Sequence, residues 1–201
     1  LTSTRHRVIN NLLGSRLFCP IIRRTPRLRE LMKTPLKKEV NDLFAGCDPD
    51  VLVRAINYLY TKETKSSYAI EGEQVSSSRA SRFVAALRDT KSFSLSSSKS
   101  YVHLQNIIVD PRYAAAGWRD FQNFVGETVA GFQEVVHCVF PKPEDVPSLM
   151  SGLGEVGAKL IDREIDPILA AAVLSFGFVF IHPFEDGNGR IHRFIIHHVL
   201  T

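Results

Sequence analysis

Cysteine is scarce in this chain of 201 residues: Cys19, Cys47 and Cys138 are scattered, odd in number and free of any C-x-x-C spacing. That excludes a disulfide framework, gives no thiolate zinc site, and predicts a reducing, cytoplasmic setting. Long apolar runs are missing too. The longest, Ile168 to Ile181, is fourteen residues and includes Ser175, the length of a buried core helix rather than a membrane span. No membrane partner is therefore expected, and no internal repeat is present. What remains, 44% hydrophobic and 23% charged residues, is the composition of a folded domain, or a domain plus an extension, large enough to bury a core. The first residue is Leu1 rather than Met, which leaves a longer parent protein open.

The formal net charge of +4 conceals an asymmetry. Residues 1–40 carry ten Lys/Arg against two Asp/Glu, and the rest of the chain is net acidic by four. The basic residues of this arm, among them Arg5, Arg16, Arg23, Arg24 and Lys33, have no interleaved aromatics, so a solvated face or flexible arm is expected rather than a nucleic-acid site.

Proline and cap signals organise the chain. Pro20, Pro26 and Pro35 break residues 1–40 into an extension with short helices. Asp48-Pro49 opens a helix on the stripe Leu52, Ala55, Ile56 and Leu59, expected to stop before the polar stretch Thr61–Ser67. Ser78 is the expected cap of a further stripe, Ala80, Phe83, Val84 and Leu87, and the six serines of Ser92–Ser100 read as a loop. Phe121–Val125 and Val135–Phe140 predict a β-hairpin. Pro141, Pro143, Glu144 and Asp145 start a helix striped by Val146, Leu149, Met150, Leu153, Val156 and Leu160. Asp166-Pro167 caps a helix apolar on nearly all sides, expected at the centre of a bundle. The expected architecture is all-α, mainly helical, with one small β-hairpin: a basic extension over 1–47, a helical region over 48–100 and a core domain over 101–201.

The chemistry concentrates in one loop, His182-Pro-Phe-Glu-Asp-Gly-Asn-Gly-Arg-Ile-His-Arg193, between two apolar helices. Gly187 and Gly189 let successive N–H groups curl into one concavity at the N-terminus of the next helix, which is an anion cradle. Arg190 and Arg193, at i and i+3, add two positive forks for further phosphate oxygens. A carboxylate beside phosphates, here Asp186, suits a magnesium ion. His182 is the one nearby side chain able to take a proton from an attacking hydroxyl at neutral pH. These parts suit transfer of a phosphorus-containing group from a nucleotide to a hydroxyl. His192, His197 and His198 crowd the last helix, but their spacings place no two ligands on one face.

This segment resembles the signature of the Fic family, His-Pro-Phe-x-Asp-Gly-Asn-Gly-Arg-x-x-Arg, at every fixed position. The similarity extends over roughly residues 100–201. It implies an all-α core whose hairpin, the flap, aligns a target segment by strand pairing. It further implies that His182 is the general base for a target Ser, Thr or Tyr hydroxyl that attacks the α-phosphate of ATP. By the same resemblance Asp186 is the magnesium ligand, Gly187, Asn188 and Gly189 form the anion hole, and Arg190 and Arg193 face the outer phosphates. ATP and Mg2+ are the implied cofactors, and the implied partner is a target protein, the chain itself included.

Ser67-x-x-x-Glu71-Gly72 resembles the inhibitory motif of the Fic class with an N-terminal inhibitory helix, in which a carboxylate takes the arginine fork meant for the γ-phosphate. The resulting expectation is a protein adenylyltransferase restrained by Glu71. The same fold can also remove AMP or transfer UMP, GMP, phosphate or phosphocholine. A nucleic-acid-binding regulator and a toxin–antitoxin component are the remaining alternatives, and target identity and homodimer formation stay open.

Overall fold

The computed structural model describes residues 2–162 and 165–201. A short hairpin, β1 (Thr2–Ser3) and β2 (Val8–Ile9), opens the chain and is followed by α1 (Pro26–Leu31), α2 (Leu36–Ala45) and the long α3 (Pro49–Ile70). Then come α4 (Ser77–Arg88), α5 (Ser98–Ile108), a second hairpin of β3 (Phe124–Val129) and β4 (Gln133–Val139), and α6 (Val146–Asp162), α7 (Pro167–Ile181) and α8 (Asn188–Leu200). The fold is the expected mainly helical one, with a second, terminal hairpin in addition to the anticipated one. No helix among the described residues is long and apolar enough to cross a membrane.

Helices α5 to α8, with α3 and α4 against them, enclose a single core of which Tyr68, Leu104, Leu153, Phe178 and Ile191 are fully buried members. Phe178 stands at its centre, its ring stacked on Tyr101 at a centroid distance of 5.4 Å. Phe178→Ala is expected to lower unfolding free energy by about 3–5 kcal/mol, the cost of a large buried cavity, read by chemical denaturation. A loss below about 1 kcal/mol would show the core repacks around the hole.

Several elements differ from the sequence reading. Helix α3 does not stop at Thr61 but runs to Ile70, because Thr64, Ser67 and Tyr68 form its buried face against the core. The polar run is the inner stripe of the helix, not a break. The cap of α4 is Ser76 rather than Ser78, its side chain accepting from the Arg79 N–H. The serine run is only partly loop: Ser97 caps α5, which starts at Ser98 and buries Tyr101, Leu104, Gln105 and Ile108. Both strands of the main hairpin lie nearer its turn than expected: the first begins later, at Phe124, and the second earlier, at Gln133, with a bulge at Val125/Gly126.

Helix α7 is capped by Asp166 as expected, yet it is not enclosed on all sides. Phe176 and Phe180 are 66% and 55% exposed, because α6 and α8 cover only two of its faces. The basic extension is likewise more than a free arm. Phe18 fits a notch between α6 and α7 where both Gly152 and Gly177 lack a side chain; a Cβ at Gly177 would lie 2.5 Å from the Phe18 ring. Leu13 packs on the same core.

Candidate active site

The loop 182–193 sits at the junction of α7 and α8 on the wall of a cavity of about 610 Å³, also lined by Glu71, Gly72, Glu73, Tyr113 and Val179. That volume is within the range of small-molecule sites. A larger apolar groove lies between α7 and the Ser15–Ile22 segment, away from these side chains.

His182 ends α7 in the left-handed region, φ 53° and ψ 61°, which turns the chain sharply into the loop. Its Nδ1–H donates to the Val179 carbonyl at 3.1 Å, since a carbonyl can only accept. The proton is thereby assigned to Nδ1, leaving the Nε2 lone pair as the available base. The ring stacks on Phe140, just beyond β4, with centroids 3.9 Å apart. Burial holds the imidazole below its ordinary 6.5, the Val179 bond opposes that, and the nearby Arg119 charge adds to it. The neutral, proton-accepting form therefore prevails at pH 7.

The glycine turn is built by side chains as well as by glycines. Gly187 has φ +89° and donates its N–H to Asp186 Oδ1 at 2.6 Å, so its contribution is the turn rather than a free donor. The Asn188 side chain is buried and clamps the loop, accepting from Phe184 N–H at 3.1 Å and donating to Phe184 O at 2.8 Å. The donors left for an anion are the backbone N–H groups of the first turn of α8, which have no acceptor within the helix. A protein anion already lies there: a Cβ on Gly189 would fall 2.6 Å from Glu71 Oε1. Only glycine accommodates that approach.

Asp186 Oδ1 also accepts from Arg190 Nη2 at 2.8 Å, and among the described residues no donor reaches Oδ2. A carboxylate oxygen without a protein partner, on the wall of an anion-binding cavity, suits a hard divalent cation completed by phosphate and water.

The sequence-predicted acid and arginines meet across 122 residues. Glu71 Oε1 accepts from Arg193 Nη2 at 2.9 Å, and Glu71 Oε2 forms an ion pair with Arg190 Nε at 2.7 Å whose N–H is not aligned for a hydrogen bond. Arg193 Nη2 also donates to the Ser67 carbonyl at 2.9 Å, which is where Ser67 enters the site. Gly72, at φ +70°, ends α3: its N–H donates to Ala69 O and the Glu73 N–H to Tyr68 O, the paired bonds of a Schellman stop. The chain turns back there, and Glu71 and Glu73 both face the arginines.

Glu73 was not anticipated. It ion-pairs with Arg190 Nη1 at 2.7 Å and with Arg79 of α4. Arg190 is 1% exposed and is held by Glu71, Glu73, Asp186, the Ile108 carbonyl and the face of Tyr68, 4.9 Å from its guanidinium carbon. Burial pulls the Arg190 pKa down, but the three carboxylates outweigh it and hold it above its ordinary value. For Glu71 the balance runs the other way: burial pushes the carboxyl up, and Arg190 and Arg193 offset only part of that. The short ion pairs and the raised Glu71 are reconciled by its cost of leaving water. The helix-stop glycine immediately before Glu73 is the one sequence signal that could have pointed to it.

The helical fold thus presents a glycine-rich loop with two arginines at the head of α8, an arrangement suited to holding an anion at a helix N-terminus. The Fic/DOC family model matches residues 95–200, and the chain belongs to the Fic/DOC family. Among solved structures it is similar to a Fic family protein from Desulfovibrio desulfuricans G20, with TM-score 0.63 and 20% identity, covering 91% of this chain and 60% of that one. It is also similar to a Fic domain containing signaling protein from Bacteroides thetaiotaomicron VPI-5482, with TM-score 0.57, 20% identity, and coverage of 77% and 67%. This chain thus spans less than two thirds of the length of the Desulfovibrio protein. At such identities these likenesses speak to the fold.

Proposed function

We propose that this protein transfers AMP from ATP to a Ser, Thr or Tyr hydroxyl of a target protein, itself included, and that Glu71 restrains the transfer. The observation that carries the reading is the carboxylate of Glu71 lying across the first turn of α8 and pairing with both arginines of the loop, beside a neutral histidine whose Nε2 is unengaged. A site that holds a carboxylate with two guanidiniums and a helix N-terminus is built for phosphate oxygens.

The residues divide the work as follows. Nε2 of His182 accepts the proton of the target hydroxyl as its oxygen bonds to the α-phosphorus; the bond from that phosphorus to the bridging oxygen breaks and pyrophosphate leaves. The first-turn N–H groups of α8 and the Arg190 and Arg193 guanidiniums bind and orient the phosphates. Asp186 would hold a magnesium ion, which when bound neutralises phosphate charge. The hairpin β3–β4, exposed along its whole length, offers strand edges to an extended target segment.

Restraint follows from occupancy. While Glu71 holds Arg193, the outermost phosphate has no fork to bind, and the triphosphate is turned out of line. The decisive assay incubates the parent and Glu71→Gly forms with each of the four α-labelled nucleoside triphosphates, then maps the modified residue by mass spectrometry. Label from ATP on a hydroxyl side chain is expected, stronger in Glu71→Gly. No label from any of the four removes the reading, and label from another nucleotide alone reassigns the group transferred.

The depressed His182 pKa also predicts a pH profile. In the Glu71→Gly form, which removes the titration of Glu71, transfer should be level through neutrality and fall by protonation of His182 only below its ordinary 6.5. An acid limb centred above 6.5 would contradict the buried, neutral imidazole.

A further inference from the structure

Arg119 lies outside the signature and outside the cavity wall, and it is 6% exposed. Among the described residues no carboxylate pairs with it. A buried guanidinium without a counter-ion persists only where its donors are satisfied. Here every acceptor is a carbonyl: Nε donates to His182 O at 2.8 Å, Nη1 to Phe121 O at 2.7 Å, and Nη2 to Pro141 O at 2.5 Å and to Ile181 O at 3.4 Å. Its own N–H donates to Pro183 O at 2.9 Å.

These carbonyls fall into two sets. Ile181 O and His182 O are the last of α7, orphaned by the end of the helix and at the negative end of its dipole. Phe121 O and Pro141 O belong to the two roots of the hairpin, just before β3 and just after β4. Between them Phe140 stacks on the His182 ring.

We propose that Arg119 is a positioning residue: it locks His182 in its left-handed turn and ties both roots of the hairpin to it, so that the segment presenting a target and the base receiving its proton move as one unit. The proposal rests on His182 being the base, as argued above. A left-handed φ is costly for a non-glycine residue and needs its surroundings to enforce it, and the bond to His182 O supplies that restraint. Lysine is a partial substitute only, because one ammonium has three donors and no planar fork to span carbonyls on opposite sides.

The test places Arg119→Met and Arg119→Lys in the full chain carrying Glu71→Gly. Three readouts are taken: kcat for AMP transfer, the KM for ATP, and the ring 15N spectrum of His182. Arg119→Met is expected to lower kcat about 100-fold while the ATP KM changes less than about 2-fold, the signature of a misplaced reacting group. The Nδ1–H signal set by the Val179 bond should give way to mixed tautomers. Arg119→Lys should recover part of both. Unchanged kcat, an unchanged ring spectrum, or a rise in the ATP KM matching the loss of kcat would each overturn the proposal. If Arg119→Met does not fold, the lysine variant decides: full kcat overturns, reduced kcat at constant KM supports. If the Glu71→Gly parent itself transfers nothing, the transfer reading fails, and the His182 spectrum still settles whether Arg119 positions the ring.

Discussion

Replacing His182 with alanine should abolish transfer while leaving ATP bound. The imidazole is held ready as a neutral proton acceptor at the cavity: its Nδ1 is committed to Val179 O, its ring is clamped on Phe140, and burial favours its neutral form. A positioned general base is worth about 10²- to 10⁴-fold, so transfer should fall to background. The groups proposed to bind phosphate belong to α8 and do not depend on this ring, so affinity for ATP, measured by calorimetry in the Glu71→Gly form, should change little. Transfer retained by the alanine variant would remove His182 from the mechanism. A parallel collapse of ATP affinity would show instead that the ring shapes the loop.

The second large effect is expected in the opposite direction. Glu71→Gly frees Arg193 and the Nε side of Arg190 at once, and auto-modification should rise about 10- to 100-fold, the worth of one or two partly buried, charge-assisted contacts. Glu71 meets its arginines at a cost, since burial raises its carboxyl even between two guanidiniums. It is therefore held less firmly than its short distances suggest. Arg190 stays fixed by Glu73, Asp186 and Ile108 O, so the freed site keeps its shape. Equal modification by parent and variant would dismiss Glu71 as a restraint.

How much of this was legible in the sequence depends on whether the parts are neighbours in the chain. The loop from His182 to Arg193 compresses an imidazole, a carboxylate, a turn and two arginines into twelve residues, so the candidate site could be located directly. Glu71 was legible only through the short pattern around it. The division of labour within the loop was not. The Asn188 amide holds Phe184, and the Gly187 N–H holds Asp186, because a tight turn must satisfy its own polar groups before it can bind anything.

Contacts between distant segments left no local trace. Arg119, flanked by Trp118 and Asp120, has nothing in its surroundings to announce four carbonyl partners drawn from three segments. Glu73 looks like any acid after a helix until the Gly72 stop turns it toward Arg190. The run Thr61–Ser67 was misleading for a related reason: hydropathy patterns mark apolar faces, and here a helix buries Thr64 and Ser67 beside Tyr68, whose hydroxyl donates to Ile108 O at 2.6 Å. The same blindness made α7 look central all round, although Phe176 and Phe180 face outward.

The central claim is that the α-phosphoryl group, with its nucleoside, passes to a protein hydroxyl. It is tested most directly by giving the Glu71→Gly protein ATP labelled at the α- or the γ-phosphate and following label on protein together with release of pyrophosphate. The account predicts protein labelled from the α-position only, one pyrophosphate released for each AMP attached, and neither event once His182→Ala is added. Protein labelled from the γ-position, or α-label attached with no pyrophosphate released, would contradict it.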